Sequence, residues 1–510
     1  MIIKKNIKTI LARAKKFSIF LGGNNFLKLR KNAYFGLFFI LASLALAALI
    51  AWQAVYFLFF LAAVLFLAIV FWKTEESLIA LVFYLPFQIA LNVTESIDMA
   101  SSRIFVIVLF LAWLIKSLAK KKLIIPYGMT TWLLAIFLGL AALSAYFSID
   151  QEKSAIRMLF FFSIVPLYFI SAAYLNSTIK IAKVIYVLLF SSSIAAIAGI
   201  VQFLSQFIFG IDAIMDFWSK NIAYLFYGQS FGKIVVANPS WLVNVGGETL
   251  FRAISFFPDP HMFSFYLGLA APIALSLAFF SNIFNLSNWR RFLLYICNAV
   301  IFLALVLTFS RAGYVGAFFG IAAIIFLGWK FFNKRIKFII GAVVLIGGIV
   351  VFNSSSAVVS RFFSSFNLSE GSNSERLLNW RQSIKIIEDY PATGAGVGAY
   401  AEAVNARASE RSSITAHNTY FDIAAEMGIP ALLIWIIILI LTIKKFISIL
   451  RSRDCELSKE KVISLGMIGA LVWFSVQMFF DTAIYSPVLL ALLMVYLAIS
   501  VNLGKKVMVK

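Results

Sequence analysis

The chain has little that could support metal or disulfide chemistry, because its 510 residues include only two histidines and two cysteines. Cys297 lies in an apolar stretch and Cys455 in a basic connecting segment, so the sequence predicts neither a disulfide framework nor a cysteine metal cluster. Charged residues make up 13% of the chain, about half the share that is usual in a soluble domain. Any proton-transfer chemistry must therefore depend on very few side chains.

Apolar residues are abundant: they make up 62% of the chain, and the mean hydropathy is +0.95. Apolar runs long enough to cross the ~30 Å hydrocarbon layer of a bilayer recur along the sequence. This pattern predicts an all-α, polytopic integral membrane protein with about 12–14 transmembrane helices. The candidate spans start near residues 33, 55, 78, 103, 130, 156, 184, 261, 291, 312, 336, 430, 462 and 484.

The net charge of +22 would suggest a nucleic-acid partner in a soluble protein. Here the basic residues concentrate in alternate connecting segments, whereas most acidic residues fall in the others. The positive-inside rule then predicts that both termini are cytoplasmic, and that two long loops face outward. The most basic segments are KKNIKTILARAKK, AKKKL, WKFFNKRIK and residues 444–461. The charge excess therefore reports topology, and no nucleic-acid partner is expected.

The predicted organisation follows from these spans and loops. The N-terminus shows no cleavable signal pattern, so the first span is expected to be an uncleaved anchor. The six predicted regions are a cytoplasmic basic amphipathic N-terminus (1–32), N-terminal transmembrane helices (33–209), a first long outward loop (210–258), central transmembrane helices with an SRAG turn (259–352), a second long outward loop (353–429), and C-terminal transmembrane helices with a cytoplasmic tail (430–510).

The second long loop is predicted to contain a helix of its own. Ser372 and Glu375 have the spacing of a capping box, and the Tyr390-Pro391 step prevents the helix from continuing. The sequence TGAGVG follows, and its glycines permit the positive φ angles of a tight turn.

The stretch AHNTYFDIAAEMGIP comes next and contains His417. We predict a short helix that begins near His417, is capped by Thr415 or Ser413, and ends at Gly428-Ile429-Pro430. Its position before an apolar run predicts that His417 lies at the outer membrane surface. Residues that recur every four positions give this helix one polar face, formed by Asn418, Asp422 and Glu426.

The SRAG turn at residues 310–313 holds an arginine between two apolar stretches. Such a guanidinium is costly at a membrane unless it is paired or meets an anion. Because Ser310 and Gly313 are small and leave it accessible, anion binding by Arg311 is favoured over a snorkelling role.

The remaining candidates carry weaker signals. Arg376 and Arg381 lie on the predicted loop helix, where a charged side chain is more often part of a solvated face than of a ligand site. The stretch RAISFFPDPHMF places Arg252, Asp259 and His261 where the first long loop re-enters the membrane. Asp259 is predicted to cap the following helix, and His261 is more typical of a capping or interface residue, so His261→Ala is expected to have little effect.

His417 combines polar helix neighbours, an outward location and nearby arginine-bearing loops. Histidine is the usual general acid or base near neutral pH, and arginine forks suit a pyrophosphate leaving group. Together these residues suggest group transfer from a pyrophosphate donor.

The order of the motifs resembles the O-antigen ligase and polymerase superfamily of integral membrane glycosyltransferases. The motifs are SRAG, R-x-x-x-W, D-Y-P-x-T-G-x-G-x-G and H-N-x-Y-x-x-x-x-x-E-x-G, with R-A-x-x-x-F-x-D-P upstream as a weaker fifth element. The resemblance implies a GT-C-like fold that transfers a glycan from an undecaprenyl pyrophosphate carrier to a sugar hydroxyl. The reaction would be inverting and metal-independent, would need no cofactor, and would take place on the outer face of the cytoplasmic membrane.

The same resemblance implies roles for single residues. His417 would activate the acceptor hydroxyl, while Arg311 and Arg376 would hold the pyrophosphate, with Arg252 and Arg381 as further candidates on the outer side. The residues expected to support them are Ser310, Asn418, Asp422, Glu426 and Gly428.

Several alternatives stay open at this point. The acceptor would be lipid A-core in a ligase, but another carrier-linked glycan in a polymerase, and the sequence does not separate the two. A flippase for lipid-linked glycans is the runner-up from another class; transporters usually place ionisable residues near mid-membrane, whereas these spans are nearly free of charge. A scaffold of the cell envelope would explain neither His417 nor the arginines.

Overall fold

The computed structural model of the protein describes residues 54–94, 98–123, 125–237, 240–245, 247–353, 371–405, 415–452 and 456–508. These residues are predominantly helical and contain almost no sheet, so the all-α prediction is confirmed. The predicted basic N-terminus (1–32) and the span predicted near residue 33 lie outside the described residues, as do Ser413 and Cys455.

The chain divides into two compact units, Met1–Thr74 and Glu75–Lys510. The first unit contains helix α1 (Ala54–Trp72). Helix α2 (Thr74–Tyr84) starts at the boundary. The further helices of the second unit are α3 (Ser101–Ala119), α4 (Met129–Tyr146), α5 (Gln151–Ile164), α6 (Pro166–Tyr174), α7 (Thr178–Phe209), α8 (Ile211–Phe217), α9 (Ala223–Tyr227), α10 (Gln229–Ala237), α11 (Pro260–Phe279), α12 (Asn288–Leu307), α13 (Arg311–Gly328), α14 (Lys334–Asn353), α15 (Gly371–Asp389), α16 (Tyr400–Val404), α17 (Thr419–Leu450), α18 (Lys459–Gln477) and α19 (Pro487–Met508).

Within the described part of the chain, nine helical segments are long and apolar enough to cross a membrane. They match nine of the predicted spans and are Ser101–Ala119, Met129–Tyr146, Gln151–Tyr174, Thr178–Phe209, Pro260–Phe279, Asn288–Leu307, Arg311–Phe331, Thr419–Leu450 and Pro487–Gly504. The spans predicted near residues 55, 336 and 462 correspond to α1, α14 and α18, which are helices outside this set. The span predicted near residue 78 is wrong, because α2 has only 11 residues and gives way to a short 3-10 turn and a hairpin.

Two small antiparallel hairpins interrupt the helical order. Strand β1 (Ala90–Asn92) pairs with β2 (Asp98–Ala100), with Leu91 opposite Met99. Strand β3 (Leu242–Val245) pairs with β4 (Glu248–Phe251), with Val243 opposite Leu250. The second hairpin and helices α8 to α10 fill most of the first long loop, so that loop is largely regular structure.

The core of the second unit forms around α18, which packs against α11, α13 and α17. Trp473 of α18 is fully buried in a slot lined by glycines of the two neighbouring helices. A Cβ atom at Gly268 would lie 2.5 Å from the Trp473 indole nitrogen, and one at Gly316 would overlap the same ring. Glycine at these positions therefore allows the three helices to approach closely.

The connections bring one set of helix ends together. Helices α11, α13, α17 and α19 begin at the end of the bundle where α12 and α18 finish. Backbone hydrogen bonds join these ends directly: the Ala253 amide donates to the Leu307 carbonyl (2.9 Å), and the Thr419 amide donates to the Met478 carbonyl (2.9 Å). Residues that are far apart in sequence consequently meet at this end.

Candidate active site

Asp481 is the centre of a cluster of ionisable side chains at that end of the bundle. Its Oδ2 atom lies 3.2 Å from the Nδ1 atom of His261. Its Oδ1 atom lies 3.6 Å from Nδ1 of His417 and 3.7 Å from Nη2 of Arg376. Three segments that are distant in sequence, which carry His261, Arg376 and His417, thus converge on one carboxylate.

The charge state of Asp481 follows from these neighbours. The side chain is only 5% exposed, and burial alone would raise its pKa. Interactions with His261, His417 and Arg376 outweigh burial and lower the pKa of Asp481 to about 2. Asp481 is therefore a carboxylate at neutral pH and can only accept hydrogen bonds.

The backbone of Asp481 is fastened to the segment that carries His417. The Thr419 hydroxyl donates to the Asp481 carbonyl (2.7 Å), and the Ala483 amide donates back to that hydroxyl (2.9 Å). Asp422 makes the same connection one turn later, since it accepts from the Ala416 amide (3.1 Å) and from the Thr482 hydroxyl (2.5 Å). These two sets of hydrogen bonds fix the separation between His417 and Asp481.

His417 lies immediately before α17, and the helix start differs from the sequence expectation. Asn418 is the N-cap, because its side chain accepts from the Tyr420 amide (3.0 Å) and the Phe421 amide (3.2 Å). The prediction that Thr415 caps this helix is therefore wrong. His417 adopts a left-handed backbone conformation with a φ of 49°. This conformation is unfavourable by roughly 1–2 kcal/mol for a residue that has a Cβ atom.

This backbone conformation leaves the His417 side chain 47% exposed while it still faces Asp481. Interaction with the Asp481 carboxylate raises the pKa of His417 above its ordinary value, although burial and Arg376 oppose that effect. An accessible imidazole beside a fixed carboxylate is suited to accept a proton from a bound substrate.

His261 belongs to the same cluster, which the sequence did not indicate. Asp259 caps α11 as predicted, accepting from the backbone amides of His261 and Met262 (both 2.8 Å). The His261 ring, however, does more than occupy an interface: its Nδ1 atom lies 3.1 Å from the Ser310 hydroxyl as well as beside Asp481. The structure therefore links the first long loop to the SRAG turn through this histidine.

Arg252 is buried behind the SRAG turn. Its Nε atom donates to the Thr308 carbonyl (2.7 Å), and its Nη1 atom donates to the Ser240 carbonyl (3.2 Å). Gln202 of α7 holds the same segment, because it accepts from the Ser255 amide and donates to the Arg252 carbonyl (both 3.0 Å). Through these contacts Arg252 stabilises the backbone just before the turn that contains Ser310 and Arg311.

The SRAG turn itself begins α13. Ser310 caps this helix by accepting from the Gly313 amide (3.2 Å), and it is fully buried. Arg311 is the first residue of α13 and is 7% exposed. The contact between Ser310 and His261 brings the start of α13, and with it the backbone of Arg311, next to the cluster.

The loop helix α15 ends just before Pro391, as predicted, and presents its two arginines differently. The Arg376 side chain is 16% exposed and faces Asp481. Trp380, one turn later, packs edge-on against Phe421 of α17, with ring centroids 5.8 Å apart. Arg381 lies on the exposed face and forms no ion pair with any residue that the structure describes. The R-x-x-x-W spacing thus aligns Arg376 with α17, whereas Arg381 lies away from the cluster.

Glu426 and Gly428 hold the first turns of α17 against the TGAGVG turn. The Glu426 carboxylate accepts from the Gly398 amide (2.8 Å) and from the Tyr485 hydroxyl. Gly428 has a φ of 82°, and a Cβ atom there would overlap the Ala392 carbonyl. As the sequence predicted, the helix turns at Gly428 before Pro430 begins the span.

Asp481 is not among the site residues that the sequence predicted. The signal was present, since FFDTAIYSP places one acidic residue in a short connection between the last two apolar runs. Among the described residues no group of three or more His, Cys, Asp or Glu side chains has the arrangement of a metal site. The cluster instead surrounds one carboxylate with a guanidinium and two imidazoles, an arrangement suited to proton transfer and to binding an anion.

Comparison with known proteins identifies a segment that carries two of the four side chains of this cluster. Residues 296–436 match the family model described as O-antigen ligase. The matched segment includes the SRAG turn, Arg376 and His417, but not His261 or Asp481. No curated protein matches the chain. This match supports an O-antigen ligase superfamily assignment for the segment that carries the SRAG turn, Arg376 and His417.

Proposed function

We propose that the protein transfers a glycan from a polyprenyl (undecaprenyl) pyrophosphate carrier to a sugar hydroxyl of an acceptor. The observation that supports this best is the convergence of His417 and Arg376 on Asp481, where an exposed imidazole lies next to a guanidinium. Transfer of this kind needs a base for the acceptor hydroxyl and cations for the departing pyrophosphate, and the cluster supplies both.

We place the reaction on the outer face of the cytoplasmic membrane. Each helix that begins or ends at the cluster has its other end in a basic segment. These basic residues are Arg290 and Arg291, Lys334, Arg335 and Lys337, Lys444 and Lys445, Lys459 and Lys461, and Lys505 and Lys506. Under the positive-inside rule these segments are cytoplasmic, so the cluster faces outward, where a translocated lipid-linked glycan would be.

The donor's pyrophosphate would bind to Arg376 and Arg311. Arg376 is 3.7 Å from Asp481, which is long for a hydrogen bond, so its fork is not committed to a close bidentate pair with that carboxylate. Arg311 is buried at the start of α13, where a low dielectric strengthens its attraction for an anion. Both cations would stabilise charge that develops on the pyrophosphate as it leaves.

The acceptor would react by direct displacement. His417 takes the proton of the acceptor hydroxyl, the acceptor oxygen bonds to the anomeric carbon, and the bond from that carbon to the pyrophosphate oxygen breaks. The pyrophosphate leaves with the electron pair, and Asp481 stabilises the imidazolium that forms. One displacement inverts the anomeric configuration, and the guanidinium groups of Arg376 and Arg311 stabilise the negative charge on the departing pyrophosphate.

The test is release of free polyprenyl pyrophosphate from a lipid-linked oligosaccharide by the purified protein in liposomes. Wild type is compared with His417→Ala and with Lys385→Ala, an exposed change on α15. We expect acceptor-dependent release by wild type and Lys385→Ala, and a loss of about two to four orders of magnitude in His417→Ala.

The acceptor added to the liposomes separates the remaining alternatives. Release with lipid A-core alone identifies a ligase, and lengthening of a second carrier-linked glycan identifies a polymerase. Intact donor that crosses between leaflets with wild type and His417→Ala alike would show a flippase and overturn the proposal.

A further inference from the structure

Two arginines outside the Asp481 cluster lie toward the outward ends of α3 and α5. Arg103 is near the start of α3, whose other end is the basic segment AKKKL, and Arg157 is in the second turn of α5. The connection from α4 to α5 is on the same side as the TGAGVG turn, because the Ile149 amide donates to the Ala395 carbonyl (3.0 Å). In the orientation proposed above, both guanidinium groups are therefore close to the outer membrane surface.

The two guanidinium groups stack on adjoining aromatic rings. The Arg103 Cζ atom lies 5.2 Å from the centroid of the Phe160 ring, and the Arg157 Cζ atom lies 4.0 Å from the centroid of the Tyr485 ring. These two rings pack edge-on, with their centroids 6.4 Å apart. Stacking holds a guanidinium by its face, so the N–H groups at its edge can still donate to a ligand.

Protein groups satisfy only part of each guanidinium. The Arg103 Nε atom donates to the Ser163 hydroxyl (2.8 Å), the only hydrogen bond that Arg103 makes to a described residue. Arg157 forms neither a hydrogen bond nor an ion pair with any residue that the structure describes. The Glu426 carboxylate attracts Arg157 from a longer distance, but it accepts its hydrogen bond from the Tyr485 hydroxyl.

The charges of this arginine pair call for an anion of matching charge. Both side chains are half-buried, and their charges repel each other. Such a pair near a membrane is unfavourable unless an anion binds to it. A phosphate monoester carries about two negative charges near neutral pH and has several oxygens that can accept from both forks. The phosphodiester of an ordinary phospholipid carries less charge and suits the pair less well.

The arginine pair is separate from the proposed donor site but adjoins the same loop. Asp481 and Tyr485 lie four positions apart in the connection between α18 and α19. Asp481 faces Arg376, whereas the Tyr485 ring contacts Arg157. The TGAGVG turn also lies against Arg157, since a Cβ atom at Gly398 would be 3.1 Å from the Arg157 Nε atom. A ligand at the pair would thus be held next to the loop that carries the catalytic carboxylate.

We propose that Arg103 and Arg157 form a second phosphate-binding site, which holds the phosphate group of a lipid-anchored acceptor. The two arginines bind the acceptor at the membrane surface, and His417 deprotonates its sugar hydroxyl. This inference rests on the proposed function for the identity of the acceptor, whereas binding of a phosphate lipid can be measured without any transfer.

The binding experiment counts the molecules of undecaprenyl phosphate, a phosphate monoester without a glycan, that bind to each chain. The full-length protein in phosphatidylcholine nanodiscs is titrated with the radiolabelled lipid. We expect two bound molecules in wild type and in Lys385→Ala, but one in Arg103→Gln and one in Arg157→Gln. Arg103→Gln leaves the contacts of Arg157 with Tyr485 and the TGAGVG turn in place, so damage to those contacts cannot explain its loss of binding.

Two outcomes of the titration would overturn the second site: two bound molecules in both arginine variants, or a single bound molecule in wild type. A further titration with excess phosphatidylglycerol, whose phosphate is a diester, tests the source of the phosphate. Retention of both undecaprenyl phosphate molecules supports the acceptor role. Displacement of the molecule that depends on Arg157 would assign the pair to ordinary phospholipid headgroups and overturn that role.

The kinetic experiment distinguishes acceptor binding from donor binding. Arg157→Gln should raise the KM for acceptor about ten- to a hundredfold, the value of a hydrogen bond between charged groups, and leave the KM for donor unchanged. Arg157→Lys, which keeps the charge without the planar fork, should restore part of the lost affinity. A raised KM for donor, or a lower kcat with an unchanged KM for acceptor, would overturn the proposal. If wild type releases no polyprenyl pyrophosphate, the proposed function fails, and the binding count still decides whether the second site exists.

Discussion

Replacing Asp481 by asparagine should slow the reaction because it removes the negative charge that faces His417. The two groups are 3.6 Å apart. At that distance unit charges attract by ~1 kcal/mol in water, and by ~5 kcal/mol at an effective dielectric constant of ~20. Since the His417 side chain is 47% exposed, solvent screening places the loss near the lower value, at about 1–3 kcal/mol. We therefore expect kcat to fall by roughly ten- to a hundredfold.

The same change should alter the pH dependence in a defined direction. A general base works only when it is neutral, so the rate rises with pH through the pKa of His417. Asp481 raises the pKa of His417, and its loss should lower that pKa toward the ordinary value. The acidic limb of kcat should consequently move to lower pH in Asp481→Asn, even though the maximum rate is smaller.

The measurement is the rate of polyprenyl pyrophosphate release at saturating donor between about pH 5 and pH 9, the range in which histidine titrates. Thermal unfolding of the purified variant serves as the folding control. A full rate in Asp481→Asn with an unmoved acidic limb would refute both the general-base assignment and the role of this carboxylate. A slower rate with an unmoved limb would refute the electrostatic argument alone.

Two further predictions concern donor binding and the turn in α17. Arg376→Ala should raise the KM for donor by about tenfold or more, and Arg376→Lys should restore little of the lost donor affinity because lysine lacks the planar guanidinium. Lys385→Ala on the same helix is the control and should bind donor normally. Equal KM values for all three variants would contradict the assignment. Gly428→Ala should lower thermal stability, since its φ of 82° costs a β-carbon about 1 kcal/mol and its Cβ meets the Ala392 carbonyl. Gly139→Ala, in a helix with open space around the added atom, is the matched control, and equal melting temperatures would show that the turn is not under this constraint.

Local signals explain most of what the sequence could predict. Hydropathy located nine spans, because an apolar helix of sufficient length carries its own signature. The end of α15 before Pro391 and the turn at Gly428 also follow from single residues whose backbone is restricted. The length of helix α2, which has 11 residues, was overestimated as a full span, because its apolar pattern continues into a hairpin that only tertiary contacts reveal.

The candidate site was predicted incompletely, because its organising contacts are long-range. His261 and Asp481 are 220 positions apart, and neither carries a local pattern that indicates the other. Thr415 fits the composition of a cap, but Asn418 is the N-cap. The next residues, Thr419 and Asp422, form hydrogen bonds with the connection between α18 and α19, and these long-range contacts fix where the helix begins. Arg376 and Arg381 look alike in sequence, and only the helix face that packs on α17 distinguishes them.

The break at Gly428 separates the short helix that follows His417 from the long apolar span that begins at Pro430. The Ala395 amide donates to the Ala425 carbonyl (2.8 Å), and the Gly396 amide donates to the Glu426 carbonyl (3.1 Å). Thr419 also joins the start of the short helix to the connection between α18 and α19. The position of the His417 imidazole relative to Asp481 is therefore set by these loop contacts and not by the direction of the apolar span.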